Sequence, residues 1–475
     1  MITTFSAAFY STLHGEAVKH LLQQKGQEDL CFALWRPSTG ATRKTALLYR
    51  LVLPQLGERE LHGNASFHPS YFQRALGEAI KDGAGLVFMH SHLGPGWQGM
   101  SPDDIRAEHG HAAAAIGATS LPLVGLTLGT DGAWSARFWP KTAPRTFERK
   151  WCSTVRVVGD QLRVTYMDAL VPRPKLKEEL KRTVSAWGES AQANLSRMRV
   201  GIVGAGSVGA LVAEALARMG IQHIVLIDFD IVELLNLDRL LHATKSDAVA
   251  KRRKVSFLAE ALGKSATADG FLADQIPYSV TEKEGYRAAL DCDVIFGCVD
   301  RPWGRSVLNH LALAHLIPVV DGGIAVSVTK SGQLRTADWK AHTVTPGRRC
   351  LECLEQYDPG LVSVEKEGLL DDPEYIKGLP KEHAGRRNEN VFGFSMHLAG
   401  MELQQFLSLT IAPQGIANVG QQTYHFVTGR LDMPEYGQCN DNCYHSTQIA
   451  AGDHSAITVT GKHPAAERVR RMIGK

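Results

Sequence analysis

No run in the 475 residues approaches the ~20 consecutive apolar positions of a membrane-spanning helix, so no membrane span is expected. The opening MITTFSAAFYSTLHGEAVKH lacks a basic start followed by an apolar core, which argues against a secretory leader and for a cytoplasmic chain. A charge excess is missing too. Lys and Arg number 52 against 49 Asp and Glu, a net charge of +3, which gives no warrant for a nucleic-acid surface. Two local basic runs, Lys251–Lys254 and Arg468–Lys475, read as solvated helix faces. Cysteine is sparse, with eight in all. Four fall into close pairs, Cys350/Cys353 and Cys439/Cys443, a spacing that suits metal binding rather than a disulfide framework. Internal repeats and low-complexity tracts are absent. What is present is 44% apolar residues, enough for folded cores, on a chain too long for one ordinary domain.

The texture changes along the chain. Up to about residue 148, a helix-like stretch near Ala17–Gln24 precedes apolar runs at 30–35, 46–54, 85–90, 121–129 and 134–140, the pattern of a mixed α/β domain. Residues 149–178 read as a hairpin turning at Gly159-Asp160, followed by the charged, Pro-interrupted linker PRPKLKEEL. Over 179–465 the order becomes strand, glycine turn, helix, strand. That pattern predicts a parallel-rich, Rossmann-like sheet with helices on both faces.

The stretch HSHLGPGWQGMSPDD, residues 90–104, gathers potential ligands. His90 and His92 alternate at a strand end and so project from one side, where two imidazoles can meet one metal ion. The following SPDD is a helix start, with Ser101 as N-cap, Pro102 at N1, Asp103 at N2 and Asp104 at N3. The N3 side chain turns back toward the strand end, while Asp103 lies about a hundred degrees round the helix, so Asp104 is the expected third ligand. Two histidines, one carboxylate and an open water position suit a catalytic zinc. Zinc-bound water still needs a base; Glu28 stands ahead of the first long strand, though on spacing alone it is one acid among many.

These residues, a Glu before the first apolar strand, His-Ser-His and then Ser-Pro-Asp-Asp, resemble the JAMM (JAB/MPN) metallopeptidases, which cleave peptide or isopeptide bonds after the C-terminus of ubiquitin-like proteins. The resemblance implies zinc on His90, His92 and Asp104, Glu28 as base, and Ser101 stabilising the tetrahedral oxyanion. Two departures stand out. The turn from His92 to Ser101 is one residue longer than the family spacing, so counting from His92 selects Asp103, and Leu93 replaces a frequent proline.

RVGIVGAGSVGALVAEAL, residues 199–216, sets Gly204, Gly206 and Gly209 between an apolar strand and an Ala/Leu-rich helix, a turn that brings backbone close to phosphate. Asp228 ends the next strand, where a ribose would lie. Asn236, Arg239 and Lys254 follow, and Asp300 closes a third strand. Cations gathered beside a nucleotide suit a triphosphate: when a carboxylate attacks the α-phosphate, both reactants are anionic and the leaving pyrophosphate gathers charge. Asp300 is the plausible anchor for Mg2+.

This constellation resembles the ThiF/MoeB adenylating domain of ubiquitin-activating-type enzymes. The resemblance implies ATP as co-substrate, a structural zinc on Cys350, Cys353, Cys439 and Cys443, and a homodimer in which Arg182 reaches the other subunit's nucleotide; a solvated linker residue is the alternative for Arg182. The Cys439/Cys443 spacing is one residue wider than usual, and His445 reads as a surface histidine. Between Cys353 and Cys439 no cysteine occurs that could hold a thioester, and Cys31, Cys152, Cys292 and Cys298 read as buried and inert.

Three readings of the whole chain follow. One is a two-headed enzyme of a prokaryotic ubiquitin-like system that adenylates the C-terminal glycine of a ubiquitin-like protein and processes or removes that protein, with a separate conjugating enzyme or sulfur donor as partner. The second assigns both chemistries to a ThiS/MoaD-like sulfur carrier. The third is a scaffold that binds such tails without catalysis.

Overall fold

A computed structural model of the protein describes residues 2–175, 177–378, 390–455 and 459–474. The chain divides into two compact units: Met1–Pro172 with Ala314–Leu316 and Gln448–Ala456, and Arg173–Leu313 with Ile317–Thr447 and Ile457–Lys475. Residues 379–389, part of the cysteine-free stretch between Cys353 and Cys439, lie outside the described residues.

The first unit is built on a nine-stranded mixed sheet. Its order is Lys150–Trp151, Trp134–Trp139, Leu123–Leu128, Gly85–Ser91, Leu30–Thr39, Arg43–Val52, Thr4–Tyr10, Thr154–Val158, Leu162–Tyr166. The central strands read as unbroken apolar runs because both of their faces are buried. Along Leu30–Thr39, Phe32 and Leu34 enter one core with Phe88 and Tyr71, while Cys31, Ala33 and Trp35 enter the other with Phe9 and Met89. The first helix covers Ser11–Leu21, earlier than the sequence suggests. The hairpin expected between the domains is instead the rim of this sheet. Its strand Thr154–Val158 pairs in parallel with Thr4–Tyr10, from Ser6 opposite Thr154 to Tyr10 opposite Val158.

A buried ion pair ties the helix Pro102–Thr119 to this sheet. Arg137 Nε donates to Glu108 Oε2 at 2.9 Å, its Nη2 pairs with the other oxygen, and Trp139 Nε1 donates to Oε2 at 2.6 Å. Both charged side chains are fully buried. Gly125 leaves the room: a Cβ there would stand 2.3 Å from the Glu108 carboxylate.

In the second unit the strand order is Leu272–Ile276, His223–Ile227, Arg199–Val203, Val294–Gly297, Val319–Val328, Leu334–Val344, Gln422–His425, Arg430–Leu431. The first five run parallel and the last three antiparallel. Chain progression reverses between Arg199–Val203 and Val294–Gly297, the switch point where open α/β sheets leave a crevice beyond the strand ends. The long helix Phe392–Ile411 packs against the Val319–Val344 hairpin through Phe394, Leu398 and Met401. Among the described residues no helix is long and apolar enough to cross a membrane.

Glu108→Ala would leave Arg137 charged and unmatched in the core, so urea unfolding is expected to show a loss of about 3–5 kcal/mol. Arg106→Ala, which removes only the exposed pair with Asp103, is expected to leave the transition where it was.

Candidate functional site

Two sites take shape, one in each unit, and the second unit holds a cysteine cluster besides. In the first unit, His90 sits opposite Thr127 near the end of Gly85–Ser91, and His92 follows just beyond that strand. The Nε2 atoms of the two rings lie 3.2 Å apart. Asp104 reaches both, with Oδ1 3.5 Å from His90 Nε2 and Oδ2 3.3 Å from His92 Nε2. Zinc–nitrogen bonds of 2.0–2.1 Å at tetrahedral angles put ligand atoms about 3.3–3.4 Å apart, so these three side chains fit zinc without rearrangement.

The helix start explains the choice of aspartate. Ser101 Oγ accepts from Asp104 N at 3.1 Å and Ser101 N donates to Asp104 Oδ2 at 2.7 Å, a reciprocal cap that aims Asp104 at the histidines. Asp103 points to solvent and pairs with Arg106. Burial, with Arg137 adding, pushes His90 down to about 3, so its ring stays neutral and available to a metal far into acid. The Asp104 hydrogen bond raises His92, and its histidine and Ser101 partners hold the Asp104 carboxyl well below its usual range despite burial.

Glu28 is half-buried, and its main chain donates to Gly63 O at 3.4 Å. Burial raises its carboxyl, His92 opposing and Asp104 adding, which marks it as an electrostatic neighbour of the cluster and suits a group that takes and returns a proton. One support escaped the sequence reading. Arg137, itself locked by Glu108, donates through Nη1 to Thr127 Oγ1 at 2.6 Å, and Thr127 Oγ1 lies 3.3 Å from His90 Nε2. No local motif marks Arg137; only the strand register brings it there.

In the second unit a cavity of about 1060 Å³ opens at the switch point. The glycines of its turn have separate tasks. Gly204 takes φ +97°, and a Cβ on it would stand 2.4 Å from Cys298 O. A Cβ on Gly209 would meet Gly204 O at 1.9 Å, whereas Gly206 faces open space in the cavity. Asp228 spends both carboxylate oxygens on the turns, accepting from Ala205 N and Asp230 N at 2.7 Å each, while still lining the cavity.

Lys254 is not on a solvated basic face as the run Lys251–Lys254 suggests. Its Nζ donates to Asp230 at 2.9 Å; burial opposes its charge, but Asp228, Asp230 and Asp300 outweigh that and push it up to about 12. Asn236 lines the cavity while its Oδ1 accepts from Glu233 N at 3.0 Å. Arg239 lines it while Nη1 donates to Leu235 O at 2.7 Å. Asp300 is an exposed carboxylate on the cavity wall, the donor type that Mg2+ takes. Arg182 is not brought to this cavity: it is exposed on the helix Lys181–Trp187. Missed by the sequence reading were Asp230, Arg301, Arg305 and Asp371, all on the wall; Asp230 alone had a signal, as the second acid of Asp-Phe-Asp.

The four cysteines converge. Their Sγ atoms all lie within 4.8 Å of one another, and Cys350 and Cys443 are 3.7 Å apart, close to the ~3.8 Å edge that zinc–sulfur bonds of 2.3 Å imply. Hydrogen bonds from Cys439, the Cys353 main chain and Asn309 overcome burial and pull the Cys350 thiol down to about 4. His445 is buried rather than on the surface, and it bonds Glu352 at 3.2 Å instead of joining the sulfurs. Cys31, Cys152 and Cys292 are buried as expected; Cys298 is partly exposed and lines the cavity.

A family model described as the ThiF family matches residues 179–443, more than half of the chain. The chain belongs to the ThiF family. Among curated relatives of this ThiF chain, "Adenylyltransferase and sulfurtransferase UBA4" of Yarrowia lipolytica is 29% identical over 202 residues, 41% of this chain and 47% of that protein. The molybdopterin-synthase adenylyltransferase of Escherichia coli is 30% identical over 168 residues, 35% of this chain and 61% of that one. The SAMP-activating enzyme E1 of Haloferax volcanii is 26% identical over 178 residues, 37% and 60% respectively. The chain thus spans about half the length of the curated relatives it matches. The crystal structure of E. coli MccB with ATP aligns over 57% of this chain and 74% of that one, at 16% identity and a TM-score of 0.43. The ThiF match starts at residue 179, beyond the histidine cluster.

Metal analysis of the purified ThiF chain is expected to return about two zinc ions per chain. Cys350→Ser with Cys353→Ser is expected to remove one of them, and His90→Ala with His92→Ala the other. A full complement after either pair of changes would overturn that site.

Proposed function

We propose that the second unit is an ATP-dependent adenylyltransferase acting on the C-terminal glycine of a small ubiquitin-fold carrier protein. The observation that carries this reading is the ThiF cavity itself, with Lys254, Arg239, Asp300 and the open Gly206 turn around one space. A glycine carboxylate oxygen attacks the α-phosphate, the bond to the β-phosphate breaks, and pyrophosphate leaves with the electron pair. Lys254 and Arg239 hold the charge that develops on the phosphate oxygens. Asp300 is the residue to hold Mg2+, which would neutralise phosphate charge when bound. Arg182, exposed and away from its own cavity, is assigned to the cavity of a second copy in a homodimer.

That the Yarrowia relative is an adenylyltransferase and sulfurtransferase and the E. coli one a molybdopterin-synthase adenylyltransferase favours a sulfur carrier of the ThiS/MoaD kind over a conjugated modifier. Chemistry on the cavity wall agrees with transfer to an outside sulfur. Cys298 is the one cysteine lining the cavity among the described residues, and burial, with Glu402 and Asp321 adding, pushes its thiol up and so disfavours the thiolate.

A second activity is favoured by the His90–His92–Asp104 spacing: zinc-dependent hydrolysis of the peptide or isopeptide bond after the carrier's glycine tail, with Glu28 as proton carrier and Ser101 near the oxyanion. Zinc would supply an acidified water there. A scaffold without catalysis has no use for either constellation.

Carrier-dependent exchange of labelled pyrophosphate into ATP is the direct test. Lys254→Ala or Asp300→Asn is expected to lower it by about a hundredfold or more, and no reducible adduct between the chain and the carrier is expected with ATP. Normal ATP binding with no exchange would favour the scaffold. On a carrier extended beyond its glycine, Asp104→Asn is expected to abolish cleavage and Asp103→Asn to spare it; the reverse would show that spacing from His92 selects the ligand.

A further inference from the structure

The basic stretch Arg468–Lys475 has a different place from the solvated face that its sequence suggests. The helix Pro464–Ile473 buries Ala466 and Val469. Its N-cap, His463, anchors it to the loops of the cavity. The His463 ring stacks on Trp303 with centroids 5.6 Å apart and lies 4.8 Å from Phe229, the residue between Asp228 and Asp230. Its Nε2 stands 3.3 Å from the buried Glu365, and Arg470 on another side of the helix pairs with Glu282 at 2.6 Å. The helix is thereby fixed, and Arg468 and Arg471, three positions apart, share the face that lines the cavity.

The charge of the wall shows what they do. Among the described residues, five acidic and six cationic side chains line the cavity, and Arg468 and Arg471 are two of the six. Without them the acids outnumber the cations, a wall that would repel a polyphosphate. Several of the other cations are also committed. Lys254 is held by Asp230 and Arg239 by Asp238, each at 2.9 Å. Asp371 is shared by two guanidiniums, Arg301 at 2.6 Å and Arg468 at 2.8 Å, and Arg471 stands 3.9 Å from Glu467, a looser pair than those of Lys254 and Arg239. A planar guanidinium keeps several N–H donors after one such bond, in the fork geometry that phosphate oxygens accept.

We infer that Arg468 and Arg471 bind the β- and γ-phosphates of the nucleotide, making this helix a part of the triphosphate site. The inference rests on the nucleotide reading of the cavity. It is tested by calorimetric titration of the full chain with a non-hydrolysable ATP analogue and, separately, with AMP, which lacks both outer phosphates. Arg468→Ala with Arg471→Ala is expected to weaken the ATP analogue by about tenfold or more relative to AMP, and the double lysine variant, which keeps the charge, to retain most of that preference. The two side chains are 48% and 77% exposed, so the alanine variant keeps its fold. An unchanged preference for the ATP analogue in the alanine variant, or an equal loss for both ligands, would overturn the role of the arginines alone. Failure of the unsubstituted chain to bind the ATP analogue would overturn the nucleotide reading and this inference with it.

Discussion

The second unit depends on a contact that leaves no room for a side chain. Gly209, in the first turn of its helix, sits so close to the Gly204 carbonyl that any Cβ would collide with it, and Gly204 in turn lies against the main chain at Cys298. These two contacts hold the helix Ser207–Arg218, the strand Arg199–Val203 and the chain leaving the strand Val294–Gly297 together at the point where the sheet reverses its progression. Asp228 then fastens the glycine turn to the following turn with two short hydrogen bonds. Once that corner is set, the cavity wall is determined: Lys254 is drawn to Asp230, Asp300 ends the neighbouring strand, and the helix at 464–473 seats on Phe229 through His463. The same carboxylate that a sequence reader assigns to a ribose is therefore first a structural clamp. Its second task follows from its position.

Both candidate metal centres are preorganised in the way that separates binding sites from incidental clusters. His90, Cys350 and Cys443 are buried and the other four candidate ligands partly so, and gathering such polar groups at contact distance costs hydration. In the first unit the assembly is held from two directions: the cap hydrogen bonds fix Asp104 from the helix side, and the Glu108–Arg137–Thr127 series fixes the sheet side. In the second unit the Sγ atoms of Cys350, Cys353, Cys439 and Cys443 all lie within 4.8 Å of one another, close enough for four sulfurs to share one ion. The separations of ligand atoms match two different bond lengths, shorter for nitrogen and oxygen, longer for sulfur.

Short-range pattern carried much of this. The strand–glycine–helix order, the HxH strand end and the Ser-Pro-Asp-Asp cap are local features, and each lies where its spacing implies. The choice of Asp104 as the residue facing the histidines came from helix geometry rather than from counting across a loop. What escaped notice was non-local. Arg137 is an ordinary strand residue until the register sets it opposite Gly125, from where its side chain reaches Glu108 and Thr127. Asp371, Arg301 and Arg468 are spread over more than 160 positions and meet only because the last helix folds back on the sheet. The basic runs misled for the same reason: charge density along the chain says nothing of where the helix axis points. The hairpin at 154–166 looked like a connector because its partner strand, Thr4–Tyr10, lies 150 residues away.

The two proposed chemistries also fit in one order. The proposed adenylation consumes a free glycine carboxylate, and the cavity offers cations for the phosphates. Hydrolysis at a zinc-bound water releases that same carboxylate from an amide. Under the two proposed activities, a carrier made with residues beyond its glycine, or one still attached to a target, would first need the hydrolysis assigned to the histidine site. The adenylation step as proposed uses a free carboxylate oxygen as nucleophile, and a tail closed in an amide lacks one. On these proposals hydrolysis would supply the carboxylate that adenylation uses, and one glycine-ended tail would serve as substrate for both.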